Sequence, residues 1–420
     1  MSLKLPVYMD HAATTPCDPR VVEAMLPYFT EKFGNSGSRN HKFGWEAEDG
    51  AEAAREQCAA LIGASPKEVV FTSGATEGNN LAIKGAAEMY ERNPAGSGKC
   101  RGHIITALHE HKAVLDPCKR LQKEGFDVTY LQPGADGIIT AAAVKAAMRD
   151  DTVLVTIMWA NNELGTINEV PEIGKLIREY RKSAGRDDIV FHSDGTQWVG
   201  KMPTNVERDA VDLLSWSGHK MYGPKGVGGL YIRRKNPRVR LVAQLEGGGQ
   251  ERGYRSGTLN ITGIVGLGKA AELCLREMDA DGARLLALRK KLETSLTGAL
   301  ESCKVNGHAE RRLPHIANIS FGFVEGEGLM MAIKEIACSS GSACTSASLE
   351  PSYVLKALGI GDDLAHSSLR LSMGRWTTPE QVDYTIAKVT EAVNKLRLLS
   401  PLWDMHKEGI DISTIEWAQH

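Results

Sequence analysis

Seven short apolar runs, several of them separated by helix-length amphipathic stretches, predict an α/β protein built on a mostly parallel sheet. The runs lack clean polar–apolar alternation, which is the pattern of strands buried on both faces. The chain has 420 residues, more than one hydrophobic core usually holds, so two domains are expected. The expected plan is a large seven-stranded α/β domain over residues 15–265, with residues 1–14 and 266–420 forming a smaller α+β domain.

In chain order, residues 7–16 read as an extended segment that ends in a polar turn. Asp18 then caps a helix with Pro19 at its first position. Val22, Met25, Leu26 and Phe29 form that helix's apolar face, with Pro27 interrupting it. A Gly/Asn/Ser loop at 33–38 leads to an Ala-rich helix over 45–61. The strands fall at 68–72, 103–106, 128–131, 153–158, 189–193, 211–216 and 229–233, and helices at 141–148 and 171–180 separate some of them. Such a sheet places ligand loops at the carboxyl ends of its strands. A long helical region over 263–300 follows, with a break expected near 279–281. Residues 314–321 and 368–373 read as strands of the smaller domain. Thr378-Pro379-Glu380-Gln381 is a capping box that opens a helix with Val382, Ile386, Val389, Val393 and Leu396 on one face. The tail from Leu402 to Trp417 sets apolar residues among charges and is a candidate docking segment for a partner; self-packing is the blander reading.

Composition removes several classes of function. A net charge of −2 gives no electrostatic case for nucleic acid or an anionic membrane, and no apolar run reaches the length of a membrane span. No leader segment is visible ahead of Leu5-Pro6-Val7. The eight cysteines are scattered without metal-ligand spacing, which suggests reduced thiols in a cytoplasm.

The chemistry begins at Ser217-Gly218-His219-Lys220, where a buried strand delivers a lysine into a Gly/Pro-rich loop. A lysine that loses solvation has a depressed pKa and can bond an aldehyde, so pyridoxal phosphate is the candidate cofactor. Ser73-Gly74-Ala75-Thr76-Glu77 follows a strand and opens a helix, a free N–H cluster suited to a phosphate, although a plain helix cap explains it too. It matches neither GxxxxGK[ST] nor GxGxxG. Asp194, at the end of a buried strand, can pair with a pyridine nitrogen and keep the ring an electron sink. Gln197 lies within reach of the ring oxygen. His111, at a helix start, can stack on a flat ring; a capping histidine is the alternative. Asn162, in Asn161-Asn162-Glu163, can bond a cofactor or a substrate carboxylate. Arg370, inside an apolar strand, suits bidentate carboxylate recognition or an internal salt bridge. Cys344 lies in the small-residue stretch Cys338-Ser339-Ser340-Gly341-Ser342-Ala343-Cys344-Thr345-Ser346, a setting for a nucleophile on a movable arm, against the usual buried, inert cysteine.

These segments, with Thr14-Thr15-Pro16, Glu110-His111-Lys112 and Arg255-Ser256-Gly257-Thr258, resemble the class V aminotransferases over essentially the whole chain. Ser339 to Ser346 and the ending Ile415-Glu416-Trp417-Ala418 resemble the housekeeping NifS/IscS-type cysteine desulfurases among them. The resemblance implies the aspartate aminotransferase-like fold of pyridoxal-phosphate transferases (fold type I), working as a homodimer. It implies removal of sulfur from L-cysteine to give L-alanine and a persulfide on Cys344, for iron–sulfur cluster assembly and tRNA thiolation. Position by position, Lys220 is the implied Schiff-base lysine, and Asp194 the partner of the ring nitrogen. His111 stacks on the ring and Gln197 touches its oxygen. Ala75, Thr76, Ser217 and His219 lie at the phosphate, with Thr258 entering from a partner subunit. Asn162 and Arg370 hold the substrate carboxylate, and Asn162 also contacts the cofactor. Cys344 takes the sulfur, and the resemblance extends to its ligating a transient cluster shared with an iron–sulfur scaffold protein. A selenocysteine lyase or another class V enzyme is the alternative. Gly195 and Trp198 depart from the neighbours expected beside Asp194 and Gln197, and 93–99 and 183–188 look like surface insertions.

Overall fold

The computed structural model describes residues 3–340 and 351–410. Its main sheet has seven strands: β1 Val69–Thr72, β2 His103–Ala107, β3 Asp127–Leu131, β4 Thr152–Thr156, β5 Val190–Asp194, β6 Leu213–Ser217 and β7 Gly228–Ile232. Their spatial order is β1-β7-β6-β5-β4-β2-β3. β7 runs antiparallel to both of its neighbours, and the other pairings are parallel. Every strand is buried along its length except the edge strand β3.

Successive side chains on a strand point to opposite faces, and here both faces are covered. Ile104, Val190, Leu213 and Leu230 pack on the side of the helices Ala75–Met89 and Lys112–Lys123. Their neighbours Ile105, Phe191, Leu214 and Tyr231 pack on the other side, against Lys42–Ile62 and the first part of the helix Ile261–Ala299. This is why the runs are continuously apolar.

The helix Ile261–Ala299 runs its 39 residues without the break expected near 279–281. Leu267, Ala271 and Cys274 belong to the core of the main sheet, whereas Leu285, Leu288, Leu292 and Leu296 join a second apolar cluster with Ile319, Phe321, Leu371 and Val389. Asp281, a poor helix former within the expected break, accepts from Arg375 Nε at 2.9 Å and lies 3.5 Å from Arg284. Those tertiary contacts outweigh the propensity. The first helix also differs from expectation. It splits into Pro19–Met25 and Pro27–Thr30, because Pro27 has no N–H to continue the ladder. Val21 faces the core, while Val22, Leu26 and Phe29 are exposed.

The smaller sheet centres on Ile316–Phe321, antiparallel to both Cys303–Val305 and Ser368–Ser372, with Ser339–Ser340 on the outer edge of the latter. Val7–Tyr8 pairs in parallel with Ile336–Ala337, which brings the N-terminal segment to this side of the molecule. The capping box at Thr378 and Gln381 forms, opening the helix Pro379–Arg397. The tail's next helix, Pro401–Lys407, packs on its own chain: Trp403 lies against Phe323 and takes the Arg397 guanidinium over its ring at 4.4 Å. Ile412, Ile415 and Trp417 lie outside the described residues.

Glu251 and Arg252 hold positive φ values of 48° and 60°, costly for residues with a Cβ. A buried ion pair fixes this turn: Arg55 donates to both Glu251 carboxylate oxygens at 2.9 and 2.8 Å, and the backbone N–H of Phe71 donates to the same group at 2.7 Å. Glu251→Ala would strand the Arg55 charge in the core, so a loss of about 3–5 kcal/mol in unfolding free energy is expected from urea titration. A loss under about 1 kcal/mol, the value of an exposed pair, would contradict this account of the turn.

Candidate active site

Five strand ends of the main sheet converge on one cavity of about 590 Å³. After β1 the chain turns at Ser73-Gly74 into the helix Ala75–Met89, whose free N–H groups give the cavity a partly positive end. Gly74 has φ 150°, and a Cβ on Gly228 would meet its Cα at 2.8 Å, so β7 closes directly behind this turn. A Cβ on Gly74 would stand 3.5 Å from the Ser217 hydroxyl, which places the end of β6 opposite the helix start. His219 follows, its Nδ1 3.1 Å from the Thr14 hydroxyl. Burial, reinforced by Lys220 and Lys225, pushes its pKa down to about 4, so the ring is neutral.

Lys220 Nζ donates to the carbonyls of Ala12 and Ala13 at 2.7 and 2.6 Å. Burial is the main force that lowers its pKa to about 8; Arg370 and Lys201 add to it, and Asp10 and Asp194 oppose it. Asp194 ends β5 with both carboxyl oxygens occupied, Oδ2 by the Asn79 amide at 2.7 Å and Oδ1 by the Thr196 N–H at 2.9 Å. Gln197 donates to the Ala12 carbonyl at 2.9 Å. The same N-terminal stretch therefore braces both the amine and the amide.

After β2, His111 caps the helix Lys112–Lys123, and its Nδ1 accepts from the Ala113 N–H at 3.1 Å. That bond puts the proton of the neutral ring on Nε2. Burial is the first cause of its lowered pKa. Beyond β4, the Asn161 side chain accepts from the N–H groups of Glu163 and Leu164 at 2.8 and 3.0 Å, which shapes the turn that presents Asn162. The Asn162 carbonyl accepts from Arg370 at 3.0 Å, and its side-chain Oδ1 has no partner among the described residues. Arg370, from the smaller sheet, also donates to Asp10 at 2.9 Å and to Ser339 at 3.2 Å.

The cavity thus brings together Ala75, Thr76, His111, Asn162, Asp194, Gln197, Ser217, His219, Lys220 and Arg370. Thr258 does not line it; this residue is exposed on the loop beyond Glu251. Cys344 lies outside the described residues, but Ser339, five positions earlier, is part of the cavity wall. Reading the sequence missed Asp10, Asn79, Ser339 and the carbonyls of Ala12 and Ala13. Asn79 lies four positions after Ala75, on the same face of its helix, and that spacing is the one signal that could have drawn attention to it.

These residues fit pyridoxal phosphate. A half-desolvated amine, an N–H cluster for an anion, a carboxyl group on a strand end and a flat imidazole all face one space. Polar atoms of Asn162, Thr196 and Arg370 that have no partner among the described residues leave hydrogen-bonding capacity there for a ligand. A larger groove of about 1240 Å³ beside Phe323, Met330 and Met331 also carries Lys304, Glu325, Glu327, Asp363 and His366, but its lysine is exposed to solvent on a strand of the smaller sheet.

Residues 7–385 match the family model for class-V aminotransferases. The chain is 58% identical over 416 residues to the cysteine desulfurase IscS of Anaeromyxobacter dehalogenans (strain 2CP-C), covering 99% of each chain. It is 56% identical over 420 residues to the cysteine desulfurase IscS of Vibrio campbellii (strain ATCC BAA-1116), covering all of both. Among solved structures it superposes on a NifS-like protein with a TM-score of 0.83 at 36% identity, over 93% of this chain and 100% of that one. It superposes on SspA in complex with cysteine with a TM-score of 0.75 at 38% identity, over 89% and 100% of the two chains. A lysine, an acid and a histidine at the ends of a mostly parallel sheet, with these full-length likenesses, mean that the chain belongs to the class-V aminotransferases and, within them, to the IscS-type cysteine desulfurases, which use pyridoxal phosphate.

Proposed function

We propose that the chain removes sulfur from L-cysteine, leaving L-alanine and a persulfide on Cys344, and supplies that sulfur to iron–sulfur cluster assembly and tRNA thiolation. The observation that carries this reading is the position of Arg370. It faces the cavity that holds Lys220 and Asp194, and it bonds Ser339 on the segment that leads to Cys344.

When bound, pyridoxal phosphate supplies an electron sink for the charge that develops on the substrate carbon. The chain's own residues do the rest. The N–H groups at Ala75 and Thr76, with Ser217 and neutral His219, would hold the phosphate. Asp194, fixed by Asn79 and Thr196, would hold the ring nitrogen; His111 would cover the ring and Gln197 would reach its oxygen. Arg370 and Asn162 orient the substrate carboxylate. Lys220, with its lowered pKa, carries the cofactor and is the amine placed to move the proton of the substrate carbon. Cys344 attacks the substrate sulfur as a thiolate: a sulfur–sulfur bond forms, the carbon–sulfur bond breaks, and its electron pair passes to carbon, which is then protonated.

Several finer assignments belong to the same proposal. Thr258 acts in the site of a second copy; its exposure, and the exposed Phe29, Phe33, Phe43 and Trp45, support a homodimer. An iron–sulfur scaffold protein receives the sulfur, with Cys344 as a transient ligand of the cluster it carries. The division into a large domain over 15–265 and a smaller one over 1–14 and 266–420 places the lysine on one and Arg370 on the other. All seven described cysteines are unpaired, which supports a reducing cytoplasm. No described helix is long and apolar enough to cross a membrane.

Alanine and sulfide release from L-cysteine tests the reading. Cys344→Ala is expected to keep the cofactor's visible absorbance and lose alanine formation by about a thousandfold or more. Lys220→Ala is expected to lose both. Full activity in Cys344→Ala would sink the persulfide route.

The lysine also sets a pH dependence. Only the neutral amine attacks an aldehyde, and Lys220 is protonated below its folded-state value of about 8, not below the ordinary 10.5. The rate at which apoenzyme takes up pyridoxal phosphate should therefore rise with pH and level off above about 8. A rate still climbing steeply above pH 9 would mean that the amine is not desolvated as described.

A further inference from the structure

Glu163, the residue after Asn162, is 4% exposed and is not part of the cavity wall. Its Oε2 accepts the hydroxyl proton of Ser352 at 2.5 Å. Ser352 is equally buried, and its oxygen accepts from the N–H groups of Val354 and Leu355 at 3.1 and 3.3 Å, capping the short helix Tyr353–Ala357. The cap uses the lone pairs of the hydroxyl, so its proton is committed to Glu163. The next residue, Tyr353, donates its phenol hydroxyl to the carbonyl of Glu110 at 2.7 Å, and Glu110 directly precedes His111. Leu164 packs with Val354, Leu355 and Leu358 beneath these bonds.

Two polar contacts therefore join Ser352 and Tyr353 to residues adjacent in sequence to Asn162 and His111. Burial pushes the Glu163 carboxyl up to about 7, while Ser352 and Arg370 pull it down. A buried carboxyl group is an expensive way to fill space, and an apolar side chain would pack more cheaply. What a carboxyl–hydroxyl bond adds is register. Ser352 lies eight positions after Cys344, and Ser339, five positions before it, is bonded to Arg370.

We infer that Glu163 and Tyr353 are positioning residues that hold the chain just after the Cys344 segment in register with the turns carrying Asn162 and His111. The inference rests on Cys344 being the sulfur acceptor. Its consequence is a division of labour: losing these bonds should impair sulfur transfer to Cys344 and spare the binding of L-cysteine, which Asn162 and Arg370 perform.

The test uses the cofactor-loaded, full-length enzyme. Binding of L-cysteine is read from the change in cofactor absorbance, and turnover from alanine release. Glu163→Ala, Tyr353→Phe and their combination are expected to leave the dissociation constant within about twofold while kcat falls, by about tenfold to a hundredfold in the double variant. Glu163→Gln keeps an oxygen that accepts from Ser352 and should restore most of kcat. Unchanged kcat in the double variant overturns the inference. So does a parallel loss of binding and kcat, which would assign Glu163 to support of Asn162 alone, or a Glu163→Gln enzyme no better than Glu163→Ala. If Glu163→Ala sheds cofactor or melts early, Tyr353→Phe, which deletes one oxygen, decides by the same split. Cys344→Ala runs alongside: alanine formation there would fail the persulfide reading itself, whereas a dead Cys344→Ala beside wild-type positioning variants would fail only this inference.

Discussion

The buried guanidinium of Arg370 is the constraint on which the site depends. A charge at 6% exposure inside a strand is stable only if its donors are met, and they are met by parts of the chain far apart in sequence. Asp10 comes from the N-terminal segment, the Asn162 carbonyl from the turn after β4, and Ser339 from the edge of the smaller sheet. One side chain thus draws two sheets and the N-terminal segment to the same cavity. Its charge also reaches Lys220, where it adds to the burial that keeps that amine's pKa low. The group that would orient the substrate's carboxylate therefore helps to make the lysine reactive.

The N-terminal segment has a matching role from the opposite side. Val7–Tyr8 is fastened to Ile336–Ala337 of the smaller part, and the chain then crosses to the main sheet. There the carbonyls of Ala12 and Ala13 accept from Lys220, and Ala12 also accepts from Gln197. Asp10 pairs with Arg370 two residues earlier. These are backbone acceptors and one short acid, so they position the lysine and the arginine without filling the space a ligand needs.

The sheet and its lysine were legible because their signals are local. Continuous apolar runs report burial on both faces, and a lysine directly after such a run must lose water wherever the sheet sits. Asp194 was legible for the same reason. Asn79 was not, because its role is a contact across 115 positions to a strand that forms later in the chain. Asp10 lies in a segment read only as extended and ending in a polar turn, and only the fold brings it to Arg370. The unbroken helix Ile261–Ala299 fails the local reading in the opposite sense: Asp281 is a poor helix former whose ion pair with Arg375 keeps it helical. Val22, Leu26 and Phe29 form an apolar face yet stay exposed, because helical periodicity records an apolar surface but not which body covers it.

Electrostatics shows why the cavity suits an anionic ligand in spite of a nearly neutral chain. Burial keeps the imidazole of His219 neutral, and it lowers the His111 pKa as well. Neither ring then repels the lysine strongly, and each keeps an N–H or a lone pair for directional bonding. The fixed positive contributions that remain are Arg370, Lys225 and the N-terminal end of the helix Ala75–Met89. Asp10 offsets part of the Arg370 charge through one of its nitrogens. Among the described residues, the Nε of Arg370 has no partner, and neither has the neighbouring Asn162 Oδ1. A ligand that carries both a phosphate and a carboxylate would meet donor groups for each in the cavity that Lys220 also lines.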